Sequence, residues 1–151
     1  RGREYNFRLT VASGAKPGVK IDGGTIVVAS PSEDHNQVRK ILEHFYRLYA
    51  IKYFKARVPL LADLVDSDVK TVAIRSQRTR WGSCSSRNTI SLNWRLIMVP
   101  DWVSDYVVYH ELAHLTHLNH SKAFWNLVAD YHNRYKAAQA WLKDHHALLQ
   151  F

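Results

Sequence analysis

The sequence predicts an α+β fold, with short strands leading and helices closing the chain. Three observations carry this. The first thirty residues hold β-branched, alternating stretches punctuated by glycine. A second alternation of apolar and polar residues lies at 90–96. The C-terminal half carries apolar residues at helical spacing behind recognisable caps.

Tyr5 to Leu9 alternates as a half-buried strand does, and Thr25 to Ala29 is a β-branched run. Ser32 is the expected N-cap of a long helix carrying Val38, Ile41, Leu42, Phe45, Leu48 and Tyr49, ending near Arg57 ahead of Pro59. Residues 60–67 read as a helix remnant or loop, and Val69 to Arg75 as a strand. A long polar connection, Ser76 to Thr89, precedes a strand in which Ile90, Leu92, Trp94 and Leu96 share one face. Connections of that length in a compact domain are often functional. Asp101 caps a second helix expected to run to Leu118-Asn119, and Ser121 caps a third. After a break near Asn133, a last helix carries Trp141, Leu142 and Leu148.

Composition narrows the function. The 151 residues are 46% hydrophobic and 23% charged, which suits a folded domain and excludes wholesale disorder. No apolar run approaches the length of a membrane span. Cys84 is the single cysteine, so neither an internal disulfide nor a cysteine-based zinc knuckle can form, and a reducing, cytoplasmic setting is expected. Arg1-Gly2-Arg3-Glu4 lacks signal-peptide character, and without an initiator Met the natural start is left open. The net charge is +8, and 15 of the 21 Lys and Arg residues precede Trp81. Such a bias suits phosphates, nucleic acid or acidic substrates, or simply a soluble surface.

The chemistry concentrates at His110-Glu111-Leu112-Ala113-His114. Residues four apart share a helical face, so both imidazoles can reach one ion. Glu111 stands beside them, free to take a proton from metal-bound water. A reversal after the helix would bring His120 as a third nitrogen ligand, leaving the fourth position open as in catalytic zinc sites. The His-x3-His-x5-His spacing equals that of the metzincins, but His117 stands where their turn glycine would be, and Met98, the single methionine, precedes the motif. His117 reads as a supporting or exposed residue, or as a stand-in ligand. Mn, Co or Ni suit the same ligands.

Several motifs follow one another: Arg80-Trp81-Gly82-Ser83-Cys84-Ser85, Ile90 to Arg95, Asp105 to Val108, the HExxH, Asn119-His120-Ser121 and Phe124-Trp125. This order resembles the YgjP-like metal-dependent hydrolases, relatives of the SprT-like zincins, from about Arg80 to Leu142 and more weakly before. The resemblance implies a single domain over 1–151, with N-terminal strands about 1–30 and a catalytic core about 68–145. It implies a zincin-like core: a small, mostly antiparallel sheet packed on the HExxH helix and the C-terminal helices. It places one zinc on His110, His114 and His120, and the general base on Glu111. Relatives are classed as metallopeptidases, and members are also described as nucleoside-triphosphate pyrophosphatases acting on UTP. SprT-like relatives that act on DNA-bound proteins often carry a Cys-rich ribbon, which this chain lacks. Arg87-Asn88 replaces the glycine usual before the Ile90 strand.

A transition-state oxyanion needs a donor besides the metal, and Arg80, Arg95 and Tyr131 are the candidates. Arg75, Arg78, Arg80 and Arg95 either line a cleft or face solvent. Cys84 is a packing thiol or a nucleophile, and Trp94, Phe124, Trp125 and Trp141 are expected in the core. His145-His146 reads as a solvated helix end. The reading is a zinc-dependent hydrolase that cleaves peptide bonds by Glu-assisted attack of zinc-bound water. The alternatives are a UTP pyrophosphatase and a basic nucleic-acid-binding module with a structural zinc. A peptidase calls for an exposed edge strand beside the metal, and a pyrophosphatase for a closed pocket of convergent arginines. Oligomeric state and natural substrate are not encoded legibly.

Overall fold

The computed structural model describes residues 1–149, apart from the side chain of Leu148. Two three-stranded sheets share one topology. Strands β1 (Asn6–Val11), β2 (Gly18–Asp22) and β3 (Thr25–Ser30) are ordered β1-β3-β2. Strands β4 (Thr71–Arg75), β5 (Gly82–Cys84) and β6 (Thr89–Asn93) are ordered β4-β6-β5. The α+β class is as expected. The pairing is mixed, rather than mostly antiparallel in one sheet: in each sheet the last strand pairs antiparallel with the second and parallel with the first. Tight hairpins dictate this. Gly23 and Gly24, both with positive φ, turn β2 back onto β3, and Asn88 at φ +56° turns β5 onto β6. The first strand of each trio adds to the far edge of the last strand, which leaves the second strand at the sheet's edge. Asn88 takes the left-handed turn and donates its Nδ2 to the Asp68 carbonyl at 2.9 Å.

Helix α1 (His35–Leu64) begins at Asp34, whose carboxylate accepts from Gln37 N at 2.7 Å, two residues beyond the expected cap at Ser32. It also passes through Pro59, although the helix was expected to end there. Pro59 is exposed, while Phe54, Val58, Leu61 and Ala62 bury one face around it, and this packing outweighs the missing N–H. The front of α1 packs Val38 against Ile26 and Val28 of the first sheet, and its rear half joins the main core. Tyr46 touches both clusters and stacks on Trp94 at 6.3 Å.

Strand β6 stops at Asn93, earlier than its alternation suggests, because the Asn93 side chain caps a 3-10 turn at Trp94–Ile97. Asn93 is buried, and its Nδ2 donates to the carbonyls of Gln77 (2.7 Å) and Arg80 (3.0 Å). One side chain thus ties the 76–81 connection to the sheet. Helices α2 (Asp101–Ala113), α3 (Lys122–Tyr131) and α4 (Tyr135–Asp144) follow, with α3 capped by Ser121 as expected. Trp94 and Phe124 are fully buried, while Trp125 and Trp141 pack on the core more peripherally. Arg57 of α1 makes a two-pronged ion pair with Asp105 of α2, at 3.1 and 2.6 Å, fixing the second helix against the first. Among the described residues, no helix is long and apolar enough to cross a membrane.

Candidate metal centre

Helix α2 supplies the centre. Val103, Val107, Val108 and Leu112 bury it in the core, so the polar residues of its last turn emerge at one edge. The helix ends at Ala113, well short of the expected Leu118-Asn119, with the N–H groups of Thr116 and His117 closing on the Ala113 carbonyl at 3.1 and 2.9 Å. That early reversal returns the chain towards the helix. Ser121 then fixes the start of α3 by accepting from Phe124 N, which holds His120 directly before it.

His110, His114 and His120 consequently meet, with one ring nitrogen from each lying within 4.8 Å of the others. The Nε2 atoms of His110 and His120 are 3.1 Å apart. Two nitrogens bound to one tetrahedral zinc at about 2.0–2.1 Å stand roughly 3.3–3.4 Å apart, so the His110–His120 pair already has close to that spacing, and the three neutral imidazoles are a donor set suited to the ion. The His114 Nδ1–H donates to the His117 carbonyl at 2.9 Å, which turns Nε2 towards the centre. His117 therefore serves through its backbone. Phe124 floors the cluster, its ring centre 4.9, 4.5 and 4.8 Å from the three imidazoles. Burial, and then the two neighbouring imidazoles, push the His110 pKa down to about 4, leaving it neutral and able to ligate.

Glu111 is only 5% exposed and rests on Gly82 of β5. A Cβ at Gly82 would stand 2.6 Å from Glu111 Oε1, so any larger residue there must displace the carboxylate or the strand. Burial pushes the Glu111 carboxyl up to about 8, and the Arg80 charge pulls it back in part. Strand β5 is the edge of its sheet, and two clefts flank Glu111. One, about 550 Å³, runs past Ser83, Cys84, His114 and His120. The other, about 630 Å³, lies towards α4.

Of the oxyanion candidates, Arg80 lines both clefts. Arg95 stacks on Trp94 and lines a small hollow that adjoins the second cleft through Arg80, Trp81 and His146, but neither cleft at Glu111. Tyr131 packs beside Tyr109 at 5.8 Å and lines neither cleft. Burial and then the Glu111 charge push the Cys84 thiol up, which disfavours a thiolate nucleophile. Gly82 and Tyr106, whose hydroxyl lies 3.5 Å from His110 Nδ1, were not foreseen as site residues. Tyr106 was findable, one turn before His110 on the same face, whereas the part played by Gly82 depends on tertiary packing.

The family model for the YgjP-like metallopeptidase domain matches residues 1–145. The chain belongs to this family. It is therefore a metal-dependent hydrolase, at family level a zinc metallopeptidase. No curated protein matches the chain by sequence. Two solved structures resemble the YgjP-like chain in fold. One is the metallopeptidase zymogen abylysin of Pyrococcus abyssi: 23% identity, TM-score 0.51, covering 58% of this chain and 90% of that one. The other is the metallopeptidase zymogen jannalysin of Methanocaldococcus jannaschii: 21% identity, TM-score 0.52, covering 63% and 96%.

Proposed function

We propose that this YgjP-like chain is a zinc peptidase that cleaves an extended peptide laid along β5, with His110, His114 and His120 holding the metal and Glu111 moving the proton. The observation that carries this reading is the placement of an edge strand, β5, in the cleft beside the three imidazoles. Among the described residues, β5 pairs with β6 alone, so its outer N–H and C=O groups are open to a peptide strand. Zinc held there would polarise a carbonyl and lower the pKa of water. Glu111, buried on Gly82 and one residue from a ligand, accepts a proton in the cleft and returns it to the leaving nitrogen. Arg80, lining both clefts, is the donor best placed for developing negative charge. The arginines favour peptide over nucleoside triphosphate: of Arg75, Arg78, Arg80 and Arg95, only Arg80 lines the clefts at Glu111. The whole chain acts as one domain in this reading, and its lone thiol suits the cytoplasm.

Metal analysis of purified variants tests the assignment. Wild type and Glu111→Gln should each retain one zinc per chain, and Glu111→Gln should lose at least about 100-fold in kcat. His110→Ala, His114→Ala and His120→Ala should each lose the metal. A zinc-replete His120→Ala would remove that residue from the ligand set.

A further inference from the structure

The two clefts beside Glu111 differ in charge. Arg80 and Glu111 line both; beyond them and the histidines, the β5-side walls are the uncharged Ser83, Cys84, Ser85 and Asn88, with no further cation among the described residues. On the α4 side, Trp81, Val107 and Leu142 make an apolar wall, and Arg80, Lys143 and His146 gather around it. They come from two places in the chain, the 76–81 connection and the end of α4. Arg80 ends the connection that Asn93 ties down, Lys143 is in the last turn of α4, and His146 lies just beyond, its ring 5.8 Å from Trp81. Among the described residues, Glu111 is the only acidic one lining this cleft, and in the peptidase reading it is engaged with the proton. The cavity, at about 630 Å³, exceeds one side chain, leaving room for an apolar residue on the wall and a group beyond it.

Resting on the peptidase reading, we propose that the α4-side cleft recognises a substrate carboxylate carried near the scissile bond beside a large apolar residue, with Lys143 and His146 as its specificity determinants. The apolar wall takes the side chain, and the basic rim takes the charge. The carboxylate belongs either to the peptide's own C-terminus or to an Asp or Glu side chain. The first makes the enzyme a trimmer of chain ends, and the second makes it an endopeptidase with an acidic preference.

The test uses zinc-loaded Glu111→Gln and calorimetry, with short Ala- and Phe-containing peptides that differ only in charge. One pair ends in a free carboxylate or an amide. A second, amidated pair carries Glu or Gln near its end. A third begins with a succinyl or an acetyl group. At least one acidic peptide should bind about tenfold tighter than its neutral partner, a difference of about 1.4 kcal/mol. That ratio should fall towards one in Lys143→Met/His146→Gln, two exposed positions whose change should leave the fold intact. The pair that shows the effect identifies the source of the carboxylate. Equal binding within all three pairs, or a ratio that survives the double substitution, overturns the proposal. Wild-type cleavage separates the two readings. If neutral and acidic peptides bind and are cleaved alike, the carboxylate pocket falls and the peptidase stands. If the zinc-loaded protein neither binds nor cleaves any of them, both fall.

Discussion

At the scale of single residues, the contact between Gly82 and Glu111 makes the sharpest demand. An alanine methyl would occupy the space of the carboxylate, so Gly82→Ala must displace Glu111 or lift β5. Activity should fall at least about tenfold while zinc content is unchanged, a combination read by metal analysis beside an activity assay. The same carboxyl makes the metal-stripped protein pH-sensitive. Its folded pKa, near 8, lies above the ordinary 4.5, so the folded state holds the proton more tightly than the unfolded chain. The stability this contributes is complete below about pH 4.5 and is lost as pH rises through 8. Urea unfolding of chelator-treated protein should show wild type weakening from pH 5 to 9 relative to Glu111→Gln. Parallel pH profiles would contradict the buried, proton-holding carboxyl.

At the scale of elements, α1 carries a removable defect. Pro59 forgoes a helical hydrogen bond at an exposed position, so Pro59→Ala should stabilise the fold by about 1–3 kcal/mol in urea titrations. The same residue shows where reading from the sequence stops. A proline signals a helix end locally, but the burial of Val58, Leu61 and Ala62 is decided by the sheet and helices they meet. Strand β5 was hidden for a related reason. Its three residues carry no alternation, and pairing with β6 makes them a strand. In β6 the alternation continued past the strand, because a buried Asn side chain, not hydrophobicity, sets the boundary. By contrast, His110, Glu111 and His114 were legible because helical periodicity alone puts the two imidazoles on one face. His120 needed only a turn, though that turn comes earlier than expected. Arg95 was read as a site residue from its chemistry, and its sequestration on Trp94 follows from the 3-10 turn that pattern reading missed.

At the scale of the whole molecule, two sheets of like topology flank one long helix, and the second presents its edge to the HExxH helix. The Arg57–Asp105 pair and the shared core hold that helix, so the histidines converge on a rigid support. Zinc should then stabilise the folded state by mass action, about 4 kcal/mol at a thousandfold excess over Kd, and chelation should lower Tm accordingly. The account's central claim is peptide hydrolysis dependent on Glu111. Its most direct test is to incubate zinc-loaded wild type and Glu111→Gln with casein and, separately, with a nucleoside-triphosphate panel that includes UTP. The account predicts casein fragments from wild type, none from Glu111→Gln, and intact nucleotides throughout. Release of pyrophosphate from UTP with casein untouched would contradict it.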